Sequence, residues 1–383
     1  MSLHSIRPGR LTWPALALLA ATPAALAQTS IMQPADYAAV AVRQYGIPGP
    51  YEVLALPETG TVLAASVPVF QDGAAGDVLA FDAATLAPLR RTQLPRRPFA
   101  LAADHARGWI YAGNTKDGSL SVIDAKGGIA LRVIQLGKPG ADGKMEHTRM
   151  VEVDQASGRV FVTGPTDEGI VWIVDGPAGA VLHRIDNVVR WAAGLALDAK
   201  AGRLYVGGGG AREIAVLNPE TGARIGAFST GDTAEGDAKS AHFFVNLSLD
   251  AAGGRLFAVD SHTGRLYVWD TDTGAVLVQV PIGKGALDVV YSAALNEAYV
   301  TYYGIDQQQR SGTGGLVVVD AARYAVRREL AIKPFPSNLS LDDTGAVLFL
   351  SVGEPAVRDH ADYHPNGVSS VMRLDLKALA AMP

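Results

Sequence analysis

The sequence predicts an all-β fold, a seven-bladed β-propeller of four-stranded blades whose ring is closed by an N-terminal strand that completes the C-terminal blade. Three observations predict it. A strand signature recurs seven times, turn residues follow each copy, and a β-prone N-terminal segment has no blade of its own. The composition, with 42 Gly, 19% charged and 7% aromatic residues in 383, is typical of a turn-rich globular β protein.

The clearest copy of the repeat is residues 254–274, GRLFAVDSHTGRLYVWDTDTG. It holds two β-type runs, residues 256–260 and 265–270, which are rich in β-branched and aromatic residues. The Ser-His-Thr-Gly stretch between them and the Thr-Asp-Thr-Gly stretch after them are typical of turns. This copy therefore predicts most of one blade.

The third strand of each predicted blade is an apolar run that ends in Asp or Asn, 42 to 55 residues after the preceding copy. The seven runs end at Asp82, Asp124, Asp175, Asn218, Asp270, Asp320 and Asp375. We expect each of these short side chains to cap the turn that follows its strand.

The C-terminal blade is one strand short, because little follows Asp375. The β-prone residues 35–45, ADYAAVAVRQY, precede the first blade. We expect them to supply the missing fourth strand and to close the ring, which removes a free sheet edge. Residues 28–383 are therefore predicted to form a single domain, and we expect a monomer.

Residues 1–27 have the features of a cleaved signal peptide. Arg7 and Arg10 precede a short apolar run at 11–21, and Ala25-Leu26-Ala27 is a small-x-small cleavage site. Cleavage after Ala27 predicts a periplasmic protein. No later segment reaches about 18 uninterrupted apolar residues, so no membrane insertion is predicted. The chain has no Cys, which excludes lipoprotein anchoring and disulfides.

The charge balance bears on possible partners. The chain has 33 basic and 38 acidic residues, and removal of residues 1–27 takes away only Arg7 and Arg10 from these. The mature chain therefore has a net charge of about −7. Such a protein does not attract nucleic acid or anionic membrane as a whole, so these partners require a local basic patch.

Four segments carry a resemblance to a known family: PFALAADHARGWIYAGN (98–114), GLALDAKAGRLYV (194–206), AHFFVNLSLD (241–250) and LNEAYVT (295–301). With the exported N-terminus they make the chain resemble the YncE-like family of YVTN-type β-propellers over nearly its whole mature length. The resemblance implies a seven-bladed, periplasmic, non-catalytic protein of a family that is associated with single-stranded DNA binding.

The loops of one face hold residue types that the repeat does not explain, since links between blades and links from second to third strands share that face. We predict a ligand-binding site there. Its candidate residues are Arg96, Arg97, Arg149, Arg190, Trp191, His242, Phe243, Phe244, Lys284 and Phe335. Cations that follow a backbone and aromatic rings that stack on bases suit single-stranded nucleic acid. Acidic residues in the same loops leave open an ordinary solvated surface, or a docking face for an envelope protein.

A second hypothesis comes from the segment DHADYH. Asp359, His360 and His364 could ligate Zn or another divalent ion, which would indicate a metal-binding or metal-dependent enzyme. The chain has no GxSxG, Walker-type or Rossmann motif and no thiol. The sequence therefore favours a protein that binds rather than catalyses, without a cofactor.

Overall fold

The computed structural model describes residues 30–382, except 69–73, 141, 237–239, 307–308, 310 and 355–368. The strands of the N-terminal half are β1 (Ile31–Met32), β2 (Ala41–Tyr45), β3 (Pro50–Leu56), β4 (Thr61–Ser66), β5 (Gly76–Asp82), β6 (Pro88–Leu94), β7 (Pro98–Asp104), β8 (Trp109–Asn114), β9 (Ser119–Asp124), β10 (Ala130–Gln135), β11 (Val151–Val153), β12 (Arg159–Gly164), β13 (Ile170–Asp175) and β14 (Ala180–Asp186).

The remaining strands are β15 (Leu195–Asp198), β16 (Arg203–Gly207), β17 (Ile214–Leu217), β18 (Arg224–Phe228), β19 (Phe244–Asp250), β20 (Arg255–Asp260), β21 (Arg265–Asp270), β22 (Val276–Pro281), β23 (Ala286–Ser292), β24 (Glu297–Tyr302), β25 (Gly315–Asp320), β26 (Ala325–Ala331), β27 (Phe335–Leu341), β28 (Val347–Gly353) and β29 (Ser370–Asp375). Three single turns of 3₁₀ helix (Ala38–Val40, Pro57–Thr59 and Thr115–Asp117) and one α-helix, α1 (Leu376–Ala381), complete the described elements. No helix in these ranges has the length and hydropathy that a membrane span requires.

The described residues form a ring of seven antiparallel four-stranded blades, as the sequence predicts. Six blades run in chain order: β3–β6, β7–β10, β11–β14, β15–β18, β19–β22 and β23–β26. Blade 7 consists of β27, β28 and β29 with β2 as its outer strand, and Val42 of β2 faces Arg373 of β29. The closure by an N-terminal strand is thus confirmed, although only the last five residues of the predicted 35–45 segment are extended.

One strand was not predicted. Strand β1 pairs in parallel with β26 and adds a fifth strand to the outer edge of blade 6. It has only two residues, Ile31 and Met32, too few to show an alternating pattern in the sequence. The N-terminal segment therefore contacts two neighbouring blades, 6 and 7.

The blades pack against one another through apolar clusters. Seven clusters of buried side chains lie in the described residues, and each is shared by two neighbouring blades. Between blades 4 and 5, for example, the rings of Phe228 and Trp269 stack with centroids 5.7 Å apart, and Phe244 meets Trp269 edge-on at 5.8 Å. Large third-strand rings thus fill the space that widens between blades away from the axis.

The Asp and Asn residues that end the third strands cap the following turns, as predicted. In six blades the side chain accepts a hydrogen bond from a backbone N–H three residues ahead, as Asp270 does from Thr273 at 2.8 Å. In blade 7, Asp375 likewise accepts from the N–H three residues ahead, that of Ala378 at 2.9 Å, and there the turn is the N-terminus of α1.

Replacing Asn218 by alanine is expected to lower the free energy of unfolding by about 1 kcal/mol, because it removes two exposed hydrogen bonds to amides that are worth about 0.5 kcal/mol each. Asn218 Oδ1 accepts from the backbone N–H of Glu220 at 2.9 Å and of Thr221 at 3.0 Å. Urea denaturation measures the change. Asn218→Asp keeps the acceptor and should restore most of the stability; an equal loss in both variants would contradict the capping role.

The inner strand of each blade exposes one edge toward the ring axis, and its N–H groups need partners there. Side chains of the preceding blade supply several of them. Ser340 Oγ accepts from the N–H of Ala55 at 3.0 Å, and Ser248 Oγ accepts from that of Tyr291 at 3.0 Å. Polar side chains near the axis are therefore part of how adjacent blades are joined.

Candidate functional site

The inner strands of five blades are irregular where they leave the loop face. The pairing register shifts near the first residues of β3, β7, β19, β23 and β27. Such β-bulges redirect side chains and are frequent next to functional sites. Here they affect the positions that lie at the axis just below the loops.

Four polar residues occupy equivalent positions at these irregularities. In blades 1, 5, 6 and 7, the fourth residue of the second strand pairs with one residue of the inner strand. The residue just before that inner-strand partner is Glu52, Asn246, Asp288 and Asn338, respectively. All four are at most 7% exposed. With Arg149 they form what we call the axial cluster.

Hydrogen bonds connect the axial cluster across blade boundaries. Asn246 Nδ2 donates to Asp288 Oδ1 at 2.8 Å, and Asn338 Nδ2 donates to Glu52 Oε2 at 3.0 Å. Asp288 Oδ2 accepts from the N–H of Leu339 at 2.7 Å. The cluster therefore links blade 5 to 6, 6 to 7 and 7 to 1, including the blade that closes the ring.

Arg149 reaches this cluster from blade 3. Its Nη1 donates to the carbonyl oxygen of Val245 at 2.9 Å and to Asn246 Oδ1 at 3.0 Å. The guanidinium also acts on the charges of Glu52 and Asp288. The predicted ligand-facing cation is thus engaged with two buried carboxyls of the protein itself.

The two carboxyls share this one guanidinium and are not fully compensated by it. Burial, and next the charge of Asp288, raise the pKa of Glu52 well above its usual range. Burial raises the pKa of Asp288 to about 6, although hydrogen bonds from Leu339, Val289 and Asn246 act to lower it. Burial therefore favours the protonated form of both carboxyls, and the charge of Asp288 adds to this effect at Glu52.

Aromatic rings surround the axial cluster on its loop side. Tyr51 packs on Phe99 with centroids 4.5 Å apart, and Tyr303 packs on Phe335 at 5.1 Å. Arg149 lies over the Phe99 ring at 6.0 Å. Tyr51, Phe99, Arg149 and Tyr303 are all partly exposed, so the site is open to solvent at the axis.

A second aromatic group lies in the loops of blades 4 and 5, and we call it the mouth platform. The Arg190 guanidinium stands 4.6 Å from the centre of the Trp191 ring, which meets Phe243 edge-on at 5.9 Å. Trp191 has a φ of 54°, which is rare for a bulky residue. Its Nε1 donates to Asp167 Oδ1 at 3.1 Å, and Arg190 lies 3.8 Å from the same oxygen.

His242 lies next to the mouth platform and is buried between two carboxylates. Its Nδ1 is 2.7 Å from Asp260 Oδ2 and its Nε2 is 3.1 Å from Asp232 Oδ2. Burial opposes the charged form of His242. The hydrogen bonds to Asp260 and Asp232 and the charges of Asp260 and Glu213 outweigh burial, and together they raise the pKa of His242. Two carboxylate acceptors favour a proton on each ring nitrogen, so the surroundings stabilise the imidazolium form of His242.

The other predicted ligand-binding residues divide into paired and buried ones. Arg96 Nη1 lies 3.1 Å from Asp117, and Lys284 Nζ lies 3.0 Å from Asp306. Arg97 and Phe244 are fully buried and Phe335 is 6% exposed. These three side chains support the loop face from beneath and cannot contact a ligand without rearrangement.

Sequence reasoning missed most of the axial cluster. Glu52, Asn246, Asp288 and Asn338 stand in different local sequences, and their equivalence becomes visible only when the blades are aligned by strand register. The sequence did contain one signal for this cluster: a polar residue recurs near the start of inner strands that are otherwise apolar. The proposed metal ligands Asp359, His360 and His364 lie outside the described residues. Within the described ranges no group of three or more His, Asp and Glu side chains could hold a metal ion.

These features define the class of the protein: a seven-bladed, WD40-like β-propeller with a polar cluster at its axis. Among solved structures, the WD40 repeats of RRP9 match with a TM-score of 0.67 at 10% identity, covering 89% of this chain and 98% of that one. U3-55K matches with a TM-score of 0.67 at 11% identity, covering 89% and 100%. At these identities the likeness concerns the fold alone.

Sequence comparison places the chain more narrowly. It is 29% identical to YncE of Salmonella typhi over 304 residues, which cover 76% of this chain and 79% of that protein. It is 27% identical to YncE of Escherichia coli strain K12 over the same coverage. No family model matches the sequence. The chain is therefore a β-propeller that is similar to the YncE proteins over about three quarters of its length, in agreement with the resemblance that its blade openings carry.

Proposed function

We propose that this protein is an exported, non-catalytic binding protein that holds a segment of a partner protein on the mouth platform of Arg190, Trp191 and Phe243. One observation carries the proposal: Trp191 is partly exposed at the loop face in a left-handed backbone conformation. Such strain persists where the surroundings enforce it, and it is concentrated at functional sites. Export rests on the composition of residues 1–27.

The residue types of the platform suit a protein partner. Trp and Arg are over-represented among the residues that dominate protein–protein binding energies. The platform combines a Trp, an Arg in stacking contact with it and a Phe, on loops that rise from a rigid scaffold. A propeller of stacked blades holds such loops in fixed positions, which limits the entropy cost of binding.

The charges favour a protein over single-stranded DNA as the partner. Arg96, Arg190 and Lys284 each have an acidic residue within 4 Å. Arg149 is engaged with the axial carboxyls. Affinity for a nucleic-acid backbone comes from cations that replace its counterions, and cations already paired with acids contribute little to it.

In the test, a photo-crosslinking amino acid is placed at position 243 in the intact, exported chain, and the same label at exposed Tyr45 on the outer edge serves as the control. We expect a discrete protein adduct at 243 and none at 45. Trp191→Ala should lower its yield roughly tenfold, as loss of a dominant binding residue does.

The same purified chains are titrated with fluorescein-labelled dT20 at 50 and 200 mM salt. We expect weak binding that Trp191→Ala does not change. Tight binding that falls steeply with salt and is lost in Trp191→Ala would replace the protein partner by single-stranded DNA. Equal crosslinking at positions 243 and 45 would overturn the proposal.

A further inference from the structure

The axial cluster contains a carboxylate oxygen that accepts no hydrogen bond from the described residues. Glu52 is 7% exposed, and Asn338 donates to its Oε2. Among the described residues, none donates a hydrogen bond to its Oε1. Oε1 is not among the fully buried side-chain atoms that lack a partner, so it keeps contact with solvent and a group that enters from solvent can reach it.

The cluster is also deficient in positive charge. Glu52 and Asp288 lie close enough for each charge to act on the other, and Arg149 acts on both. Two carboxylates and one guanidinium leave a net charge of −1 when both acids are ionised. A second cation at this point would allow both to ionise, whereas an anion would meet net repulsion.

The walls around this charge are suited to a cation. The partly exposed rings of Tyr51, Phe99 and Tyr303 lie on the loop side, and the two tyrosines interact with each other electrostatically. Faces of aromatic rings attract ammonium and guanidinium groups within about 6 Å. Arg149 already stands at that distance from Phe99.

We propose that the axial cluster binds one organic cation, a primary ammonium or a guanidinium group, which enters from the loop face between Tyr51 and Tyr303 and pairs with Glu52 and Asp288. The group comes either from a free amine or guanidine or from a Lys or Arg side chain of a partner. The site uses none of the mouth-platform residues, so it does not depend on the function proposed above.

Binding should release a proton. Because the pKa values of both carboxyls are raised in the free protein, pairing with a cation favours their ionised forms and displaces protons from them. Titration calorimetry in two buffers of different ionisation enthalpy measures that release. The number of protons released should be larger at pH 6 than at pH 8, because Asp288, with a pKa of about 6, is already ionised at pH 8.

The probes are n-butylammonium and methylguanidinium, with neutral n-butanol as the control, and the peptides Gly-Lys-Gly and Gly-norleucine-Gly. We expect the cations to bind and the neutral compounds not to bind. Glu52→Gln keeps the shape and the contact with Asn338 and should weaken cation binding at least tenfold. Glu58→Gln, in the exposed turn after the same strand, should leave it unchanged.

The outcomes separate the two sources of the cation. Binding of the small cations indicates a free ligand, and binding of Gly-Lys-Gly alone indicates a side chain of a partner. The inference fails if no cation binds at 10 mM, or if Glu52→Gln binds as the unmodified chain does. Trp191→Ala should bind the cations normally, so failure of the mouth platform and failure of this site are distinguishable.

Discussion

Replacing Arg149 by methionine is expected to lower the free energy of unfolding by about 3 kcal/mol at pH 8, because the charges of the buried Glu52 and Asp288 then lose the guanidinium that compensates them. Glu52 and Asp288 would then remain buried with only Asn246, Asn338 and backbone N–H groups as partners. The loss should be much smaller at pH 5.

The sign of this pH dependence follows from the pKa values. The folded-state pKa of Asp288 is about 6 and that of Glu52 is well above its usual range, both higher than in the unfolded chain. Between the unfolded and folded pKa values the folded protein binds more protons, so its stability rises as the pH falls through that window. Loss of Arg149 raises both folded pKa values further and widens the window.

Urea denaturation at pH 5 and pH 8, followed by tryptophan fluorescence, measures the effect. Arg323→Met is the matched control, since Arg323 is 80% exposed and its pair with Asp320 lies on the surface. Such pairs contribute little, so the control should change by less than about 1 kcal/mol at either pH. An equal loss from Arg149→Met at both pH values would show that Arg149 acts by packing rather than by charge.

The ring and its turns could be predicted because their determinants are local and repeated. A turn cap needs only a short polar side chain at the end of an apolar run, and Asn218 serves as well as Asp270 does. Seven repetitions also fixed the number of blades and showed that one strand was missing. The closing strand followed from that shortage rather than from any feature of its own residues.

The axial cluster could not be predicted in the same way, because its contacts join distant parts of the chain. Glu52 and its partner Asn338 are 286 residues apart. Bulges at the strand starts bring them together, and no residue type marks these bulges. Arg149 lies in the loop before β11, and the sequence does not tell whether a loop side chain points toward a ligand or toward the axis.

His242 provides the second large expected effect. At pH 5, His242→Leu should lower the free energy of unfolding by about 2 kcal/mol, the magnitude of a hydrogen bond between charged groups. The imidazolium joins buried Asp260 to Asp232, which belongs to the long loop before β19. Asp260 Oδ1 also accepts from the N–H of Phe243 at 3.0 Å, so the same contacts hold a platform residue in place.

The deficit of His242→Leu relative to the unmodified chain should shrink as the pH rises. The folded pKa of His242 lies above its unfolded value, so the stabilisation is fully present below the unfolded pKa and is lost as the pH passes through the folded pKa. Denaturation at pH 5, 6, 7 and 8 traces this loss, and NMR titration of the imidazole gives the midpoint with which it must coincide.

His105→Leu is the matched control for this series. His105 also lies 3.1 Å from a carboxylate, Glu58, but its side chain is 48% exposed, so solvent screens the pair. Its removal should change stability by less than about 1 kcal/mol at each pH. If the deficit of His242→Leu stays constant from pH 5 to pH 8, His242 is held by packing against Phe244 and Tyr267, and its charge does not stabilise the loop face.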